Sequence, residues 1–565
     1  MTGVKNPMPG VVYMPTPDLE HYVSEGVLTN ETFIEALRSS FARNADRVAL
    51  SEPGIEVTYR EMDQTSDRAA AALHRLGLRA GDSVLFQVRN CKEIVFAFLA
   101  CLKLGVIPIC TLAAHREAEI RYLGNHAKAK AHFIHSDDPR FDMAEFAASI
   151  RDSIPSIENV ISVRGPIDRP GILSLSALIE AEDPTTARQL VEQTIHDPFQ
   201  VIMFQLSGGT SGIPKIIPRF GNEYRYTVQT VIDWFGFDEN LVSFTPNPLM
   251  HNAPMACYWT PALMLGGEVA IATGTSLADI EAVLAERRPT WIAIAKVQLV
   301  RLKEAGAFDR LNLSHVFGFV ILDSAALLRE MIGAPCVPIF GMTEGLLAFP
   351  RPGDPEEAQL NSVGRPTSPY DELRIVHPGT ETDVSQGEIG ELLVRGPCTI
   401  RGYYDAADRD AEAFTSDGYY RSGDLMRFSI IEGERYLVFE GRVKDVVDRG
   451  GEKINCSEVE DALILHPAIG AVACVAMPDP LYGERMCAFM VPREGAAAVT
   501  LNDLGTYLAE RGLAKFKWPE RIEIVADLPM TSSNKVSKPL MREIIAAKVK
   551  AEANLVIDST PVITK

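Results

Sequence analysis

Positive charge is in short supply in this chain. Lys and Arg number 55 against 75 Asp and Glu, a formal net charge of -20. A general nucleic-acid binder needs clustered cations to neutralise phosphates, so the charge argues against that class. One local basic patch survives near the end: Lys515, Lys517, Lys535, Lys538, Arg542, Lys548 and Lys550. Cysteine is sparse, 9 in 565 residues, and never in Cys-x-x-Cys spacing. That argues for reduced thiols in a cytoplasmic protein rather than a disulfide framework. Long apolar runs are missing too. The most membrane-like stretch, 94–114, is broken by Lys103, Gly105 and Pro108, and reads as a buried helix followed by a strand. The N-terminal segment carries Pro7, Pro9, Pro15 and Pro17 and no apolar core of a signal peptide, so no membrane partner is expected. Internal repeats and low-complexity tracts are absent. His126, His132 and His135 cluster in sequence but lack a believable set of further metal ligands.

What is present is ordinary globular composition, 46% apolar and 23% charged, in a chain too long for one hydrophobic core. Helical periodicity over 61–76, 93–104, 277–286 and 327–332 alternates with strand-like runs at 83–88, 106–111, 291–294 and 317–322. Such alternation predicts an α/β fold, with parallel-rich sheets layered with helices. A strand-rich subdomain follows (372–376, 390–395, 435–440). After Gly441-Arg442-Val443-Lys444-Asp445 the pattern restarts as a compact α+β unit, with helices at 457–465 and 502–511 and strands at 471–477, 487–491 and 521–525. The predicted domains are therefore 1–442 and 443–565, the last residues after Lys550 being frayed.

The run Leu206-Ser207-Gly208-Gly209-Thr210-Ser211-Gly212-Ile213-Pro214-Lys215 follows an apolar strand, Phe199 to Leu206. Glycines let backbone N–H groups approach a polyanion, the hydroxyls add donors and the lysine adds a point charge. It is not a Walker A loop, because Ile216 rather than Ser or Thr follows Lys215. An ordinary surface turn has the same composition, so the loop alone decides nothing.

Other polar clusters lie far apart yet need the same ligand: His251-Asn252, Phe340-Gly341-Met342-Thr343-Glu344-Gly345, Tyr420-Arg421-Ser422-Gly423-Asp424, Gly441–Asp445, Arg449-Gly450-Gly451-Glu452-Lys453 and Lys535-Val536-Ser537-Lys538. In this order they resemble the acyl-adenylate-forming superfamily of acyl-CoA ligases, peptide-synthetase adenylation domains and luciferases, over roughly Thr58 to Arg542. Within it the chain looks most like the stand-alone aryl-acid AMP ligases of siderophore pathways. Gln205-Leu206-Ser207-Gly208-Gly209, His251-Asn252, Gly364-Arg365-Pro366 and Arg401-Gly402-Tyr403-Tyr404 carry that narrower likeness.

The resemblance implies two half-reactions: an aryl acid attacks ATP to give aryl-AMP and pyrophosphate, then a phosphopantetheine thiol of an aryl carrier protein displaces AMP. It implies a small, mobile C-terminal domain that carries the catalytic lysine. Ser207, Gly208, Gly209, Thr210, Ser211 and Lys215 would hold the β- and γ-phosphates. Gly341, Met342 and Thr343 would meet the nucleotide, and Glu344 would bind Mg²⁺. Asp424 would take the ribose hydroxyls with Arg442 assisting. Lys535 would bridge the α-phosphate and the acid, although Asn534 stands where the family usually has glycine. Lys444 matches a hinge, and Gly450 and Gly451 a pantetheine tunnel; a plain turn is the other reading of that pair.

His251, Asn252 and Cys257 match the aryl-acid pocket, for salicylate, 2,3-dihydroxybenzoate or a related hydroxy- or aminobenzoate. Tyr258-Trp259-Thr260 and Leu322-Asp323-Ser324-Ala325 both depart from the family pattern. Asp323 either accepts a hydrogen bond from a ring substituent or caps the following helix. Two rivals stand beside this reading: an aryl-CoA ligase using free coenzyme A, and a non-catalytic binding or regulatory protein.

Overall fold

In the computed structural model the described residues are 3–167, 169–207, 214–322, 325–450, 452–531 and 536–558. The alternation read from the sequence becomes two seven-stranded sheets. The first runs, in spatial order, Ile172–Ser174, Asn159–Ser162, Ala131–Ile134, Ser83–Gln87, Ile107–Ile109, Val201–Ser207 and Lys215–Phe220. The second runs Cys336–Pro338, Gly318–Ile321, Trp291–Ala293, Val242–Phe244, Glu268–Ala270, Val48–Glu52 and Ile55–Thr58. In each, neighbours are parallel until the last strand, which folds back antiparallel as a hairpin. Helical crossovers explain the parallel pairing, since a parallel neighbour cannot be reached by a tight turn.

Between these sheets lies the largest core cluster, to which both contribute (Leu50, Val269 and Trp291; Val84, Phe86 and Met203). Its centre is the helix Lys92–Leu104, buried from Ile94 to Leu104. A helix apolar on every side belongs in such a place. The same stretch explains why its interruption by Lys103 matters: that side chain is fully buried. Its Nζ donates to Asp63 Oδ1 at 2.6 Å, Asp67 Oδ1 at 2.7 Å and Ser66 Oγ at 2.8 Å, all on the helix Tyr59–Arg75. Arg188, from the helix Pro184–Gln193, pairs with the same two carboxylates.

The chain divides into two compact units, one of residues 1–373, 394–420 and 430–436, the other of 374–393, 421–429 and 437–565. In the second, Glu452–Asn455, Val446–Arg449, Gly483–Pro492 and Ile469–Asp479 pair in that order, with Arg521–Ile524 parallel to Gly483–Pro492. The helices Cys456–Leu463 and Leu501–Glu510 supply Val459, Leu463, Leu504 and Leu508 to its core. Met541 and Ile545, from the final helix, pack against Val475 and Phe489 in a second cluster. That helix continues past Lys550, where the sequence suggested fraying, and 559–565 lie outside the described residues. It runs Lys538–Asp558, through an Ala- and Lys-rich stretch of high helix propensity. The C-terminal basic patch is largely neutralised in place: Lys517 pairs with Glu458, Lys538 with Glu460, Arg542 with Asp445 and Lys548 with Glu523.

All nine cysteines are buried and free. The three neighbouring histidines go separate ways. His132 Nε2 lies 3.0 Å from Gln87 Oε1, its pKa lowered by burial to about 3, while His126 Nε2 lies 3.1 Å from the Tyr404 carbonyl. Among the described residues no group of His, Cys, Asp and Glu could hold a metal by itself, and no helix is long and apolar enough to cross a membrane.

Removing the Lys103 ammonium leaves two carboxylates in a site built for a cation. Lys103→Met is expected to destabilise the first unit by about 3–5 kcal/mol, read as a lowered urea midpoint of the tryptophan signal. An unchanged midpoint would show that Arg188 alone satisfies Asp63 and Asp67.

Candidate functional site

Ser207 and Lys215 face each other at the open end of the antiparallel pair Val201–Ser207 and Lys215–Phe220. The connecting loop, with Gly208, Gly209, Thr210 and Ser211, lies outside the described residues. It leaves the C-terminal end of a strand that is parallel to its inner neighbour, the side on which open α/β sheets bind ligands. Lys215 Nζ donates to Tyr403 Oη at 3.0 Å and sits 4.4 Å from the centroid of that ring.

Phe340–Gly341 pairs antiparallel with Leu347–Phe349. Met342 N donates to Leu346 O at 3.0 Å and Gly345 N to Met342 O at 3.1 Å, which closes a tight turn around Thr343 and Glu344. Gly345 has φ +148°, and a Cβ there would stand 2.5 Å from both Cys398 O and Thr399 Cα. Only glycine fits that conformation and that approach. Ile400 N donates to the Glu344 carbonyl at 2.9 Å, so the turn is pinned to the segment behind it.

The Glu344 side chain is buried, and Tyr403 Oη donates to its Oε1 at 2.9 Å. Tyr403 Oη also lies 3.0 Å from Tyr420 Oη. Burial, reinforced by the Glu344 charge, pushes both phenols up, so each keeps its proton and serves as a donor. One phenol therefore touches both Lys215 and Glu344, 129 residues apart in sequence. Tyr403 stands in the family-like run Arg401-Gly402-Tyr403-Tyr404, and the sequence alone assigns it no role.

Arg219 was missed entirely, and it anchors the turn. It is buried to 1% exposure, its Nη1 donates to the Thr343 carbonyl at 2.8 Å, and it forms a two-point pair with Glu223, Nε to Oε2 at 3.1 Å and Nη2 to Oε1. The only sequence signal was a cation inside the apolar run Ile216-Ile217-Pro218-Arg219-Phe220. The same guanidinium stacks 5.0 Å from the centre of the Tyr224 ring, whose hydroxyl donates to Asn252 Oδ1 at 3.1 Å. Glu223 and Tyr224 both belong to the helix Gly221–Phe235.

Asn252 is thereby held with its amide nitrogen turned away from Tyr224. His251, half-buried, precedes it, and its carbonyl accepts from Met255 N at 3.0 Å. Cys257 lies in a π-helical turn, Met255–Trp259, an arrangement frequent at functional sites. Its side chain is completely buried, which pushes the thiol up, and its carbonyl accepts from Trp291 Nε1 at 3.0 Å. A buried protonated thiol is a small apolar wall rather than a nucleophile. Asp323 lies outside the described residues, between Leu322, which is 71% exposed, and the helix Ala325–Ile332.

The second unit holds the remaining candidates. Asp424 is buried and pairs with Arg442 (Nε to Oδ1, 3.2 Å), and its backbone N–H donates to Ser422 Oγ at 3.0 Å. This is strand rather than free turn, within Tyr420–Ile431, with Gly423 at φ +69° kinking it. Lys444 sits in a short 3₁₀ turn, Val443–Asp445, and its carbonyl accepts from Arg542 at 3.1 Å. Gly450 has φ +62° in the two-residue hairpin loop between the facing residues Arg449 and Glu452. The favoured two-residue hairpin turns have a positive φ at their first position, so a turn requirement by itself accounts for this glycine. Its partner Gly451, the Lys453 side chain and Lys535 lie outside the description. The loop carrying Lys535 is closed by a bridge between Met530 and Val536.

Known protein families match most of the chain. The profile of a family described as AMP-binding enzyme matches residues 37–404, and that of the AMP-binding enzyme C-terminal domain matches 458–535. The chain is 35% identical over 552 residues to 2,3-dihydroxybenzoate-AMP ligase of Bacillus subtilis, covering 95% of this chain and 98% of that protein. It is 37% identical over 550 residues to pyochelin synthase PchD of Pseudomonas aeruginosa, covering 95% and 97%. The apo structure of Mycobacterium smegmatis MbtA superposes with a TM-score of 0.71 at 31% identity, covering 94% and 98%.

Tyr224→Phe removes the donor to a buried amide oxygen. It is expected to cost about 1–3 kcal/mol in urea unfolding, and an unaltered stability would mean that the Asn252 amide is oriented by something else.

Proposed function

The chain belongs to the AMP-binding enzyme family, and from that premise we propose that it activates an aryl carboxylic acid with ATP and passes the acyl group to a thiol. The observation that carries the proposal is the joining of Lys215 and Glu344 through the single phenol of Tyr403. It fixes a cation and a carboxylate around the turn that presents Thr343.

In the first half-reaction a carboxylate oxygen of the acid bonds to the α-phosphorus of ATP, and the bond to the bridging oxygen breaks, releasing pyrophosphate. Two anions must meet, so donors and cations have to be in place beforehand. We assign Ser207, Gly208, Gly209, Thr210, Ser211 and Lys215 to the departing phosphates. Gly341, Met342 and Thr343 contact the nucleotide, with Thr343 at the α-phosphate. Lys535 bridges the α-phosphate and the acid. Asp424 accepts from the ribose hydroxyls, and Arg442, which already pairs with it, steadies that carboxylate.

A single buried carboxylate held by a phenol suits Mg²⁺, which takes one or two carboxylates together with substrate phosphates and waters. Glu344 would hold that ion, whose charge offsets that of the phosphates.

In the second half-reaction a thiol sulfur bonds to the acyl carbon and AMP leaves. We assign the thiol to the phosphopantetheine arm of an aryl carrier protein, with 443–565 as the domain that turns on Lys444, and Gly450 and Gly451 beside the arm. His251, Asn252 and Cys257 form the acid pocket, Asn252 donating to an ortho substituent of the ring. Membership of an enzyme family argues against the non-catalytic reading.

ATP–pyrophosphate exchange with benzoate, salicylate, 2,3-dihydroxybenzoate and 2-aminobenzoate tests the first half. Exchange is expected with at least one ortho-substituted acid, and silence across the panel overturns the proposal. Glu344→Gln should lower kcat/KM for MgATP by about 10²–10³ while the fold persists. If Asp323 faces the ring, Asp323→Gly will alter the ratio of rates with salicylate and 2-aminobenzoate; an unchanged ratio assigns it to the helix cap. Thioester yield with a phosphopantetheinylated carrier against coenzyme A decides the acceptor.

A further inference from the structure

Tyr224 is completely buried, with its ring edge-on to Phe33 at 5.4 Å between centroids and stacked on the Arg219 guanidinium. Burial keeps the phenol protonated, so its hydroxyl has one proton to give. Among the described residues its hydrogen-bond partner is Asn252 Oδ1 alone, at 3.1 Å. Turning the Asn252 amide over would set Nδ2 against the phenol and leave that proton buried without an acceptor, which is costly. The packed ring cannot swing away to find another.

The amide nitrogen is therefore fixed on the other side of Asn252, a side chain that is 5% exposed. Among the described residues Nδ2 has no hydrogen-bond partner, yet it is not one of the enclosed polar atoms, so it keeps accessible surface. A nearly buried N–H donor left open in this way is suited to a ligand acceptor. In an ortho-hydroxy acid the hydroxyl gives its proton to the neighbouring carboxylate and turns its lone pairs outward, as an acceptor. An ortho-amino group gives one proton likewise but turns its second N–H outward, and its lone pair is delocalised into the ring. A fixed donor matches the first and opposes the second.

We propose that Tyr224 is a specificity-determining positioning residue: by holding Asn252 Oδ1 it lets the amide present only a donor, which selects an ortho-hydroxybenzoate over an ortho-aminobenzoate. Tyr224 acts through Asn252, and the inference rests on the assignment of Asn252 to the acid pocket made above.

The test measures kcat/KM in ATP–pyrophosphate exchange for salicylate, 2-aminobenzoate and benzoate, with the full unaltered chain and with Tyr224→Phe. The unaltered enzyme is expected to favour salicylate over 2-aminobenzoate by about tenfold. In Tyr224→Phe the amide is free to turn Oδ1 toward the ring, so that ratio should fall about tenfold, to near parity. Benzoate, without an ortho group, should lose no more than salicylate does. A merely structural role for Tyr224 would lower all three values in parallel, and an unchanged ratio in Tyr224→Phe overturns this inference while the adenylation proposal stands. Silence with every acid overturns both. If Tyr224→Phe fails to fold, the unaltered enzyme decides: a preference for 2-aminobenzoate overturns the inference, and a preference for salicylate supports it.

Discussion

Arg219 is among the largest fully buried side chains of this protein, and a cation taken out of water is tolerated only where its partners are fixed around it. Here they are fixed in two directions. Glu223 neutralises the charge from one turn along the adjoining helix, and the Thr343 carbonyl takes one of the remaining N–H groups. The helix, the edge strand and the turn cannot shift independently without exposing an unpaired guanidinium. Because Tyr224 packs on the same group and holds Asn252, the constraint reaches the residue we assign to the acid pocket as well.

The same logic runs through the side chains that support Lys215, Thr343 and Glu344 from behind. Tyr403 gives Lys215 and Glu344 a common hydroxyl, and Gly345 lets the turn lie against Cys398 and Thr399 without a gap. Preorganisation of this kind leaves little reorganisation for the moment at which phosphate charge develops. It also separates two roles that sequence motifs merge: residues that face the ligand, and residues that hold them there.

The layered fold was legible because periodicity is a local property. The helix at 277–286 and the strands at 372–376 and 390–395 have the bounds their patterns indicate, and Lys92–Leu104 declared itself by apolar residues on every side. The residues proposed to face the ligand were suggested by resemblance, since glycines and hydroxyls recur at fixed spacing. Arg219, Glu223 and Tyr224 were not, because their significance lies in contacts with Thr343 and Asn252, 124 and 28 residues away. Nothing local marks a buried arginine as an anchor. The C-terminal basic patch failed for the same reason: its acidic partners, such as Glu458, Glu460 and Asp445, are distant in sequence.

The wide turn at Met255–Trp259 bears on how the pocket we assign to the acid can change. A π-helical turn carries one residue more than the α-helical turn that would replace it. Each α-helical residue advances the chain by about 100° around the axis. Deleting a single residue there would swing Cys257 and the side chains beyond it around the helix relative to Asn252, while Trp259 and Trp291 hold their indole hydrogen bonds to Leu249 O and Cys257 O only in the present register. The pocket wall can thus be reshaped by chain length as well as by side-chain identity. Such a change would surface as an insertion or deletion in this segment, where a position-by-position comparison of pocket residues would not find it.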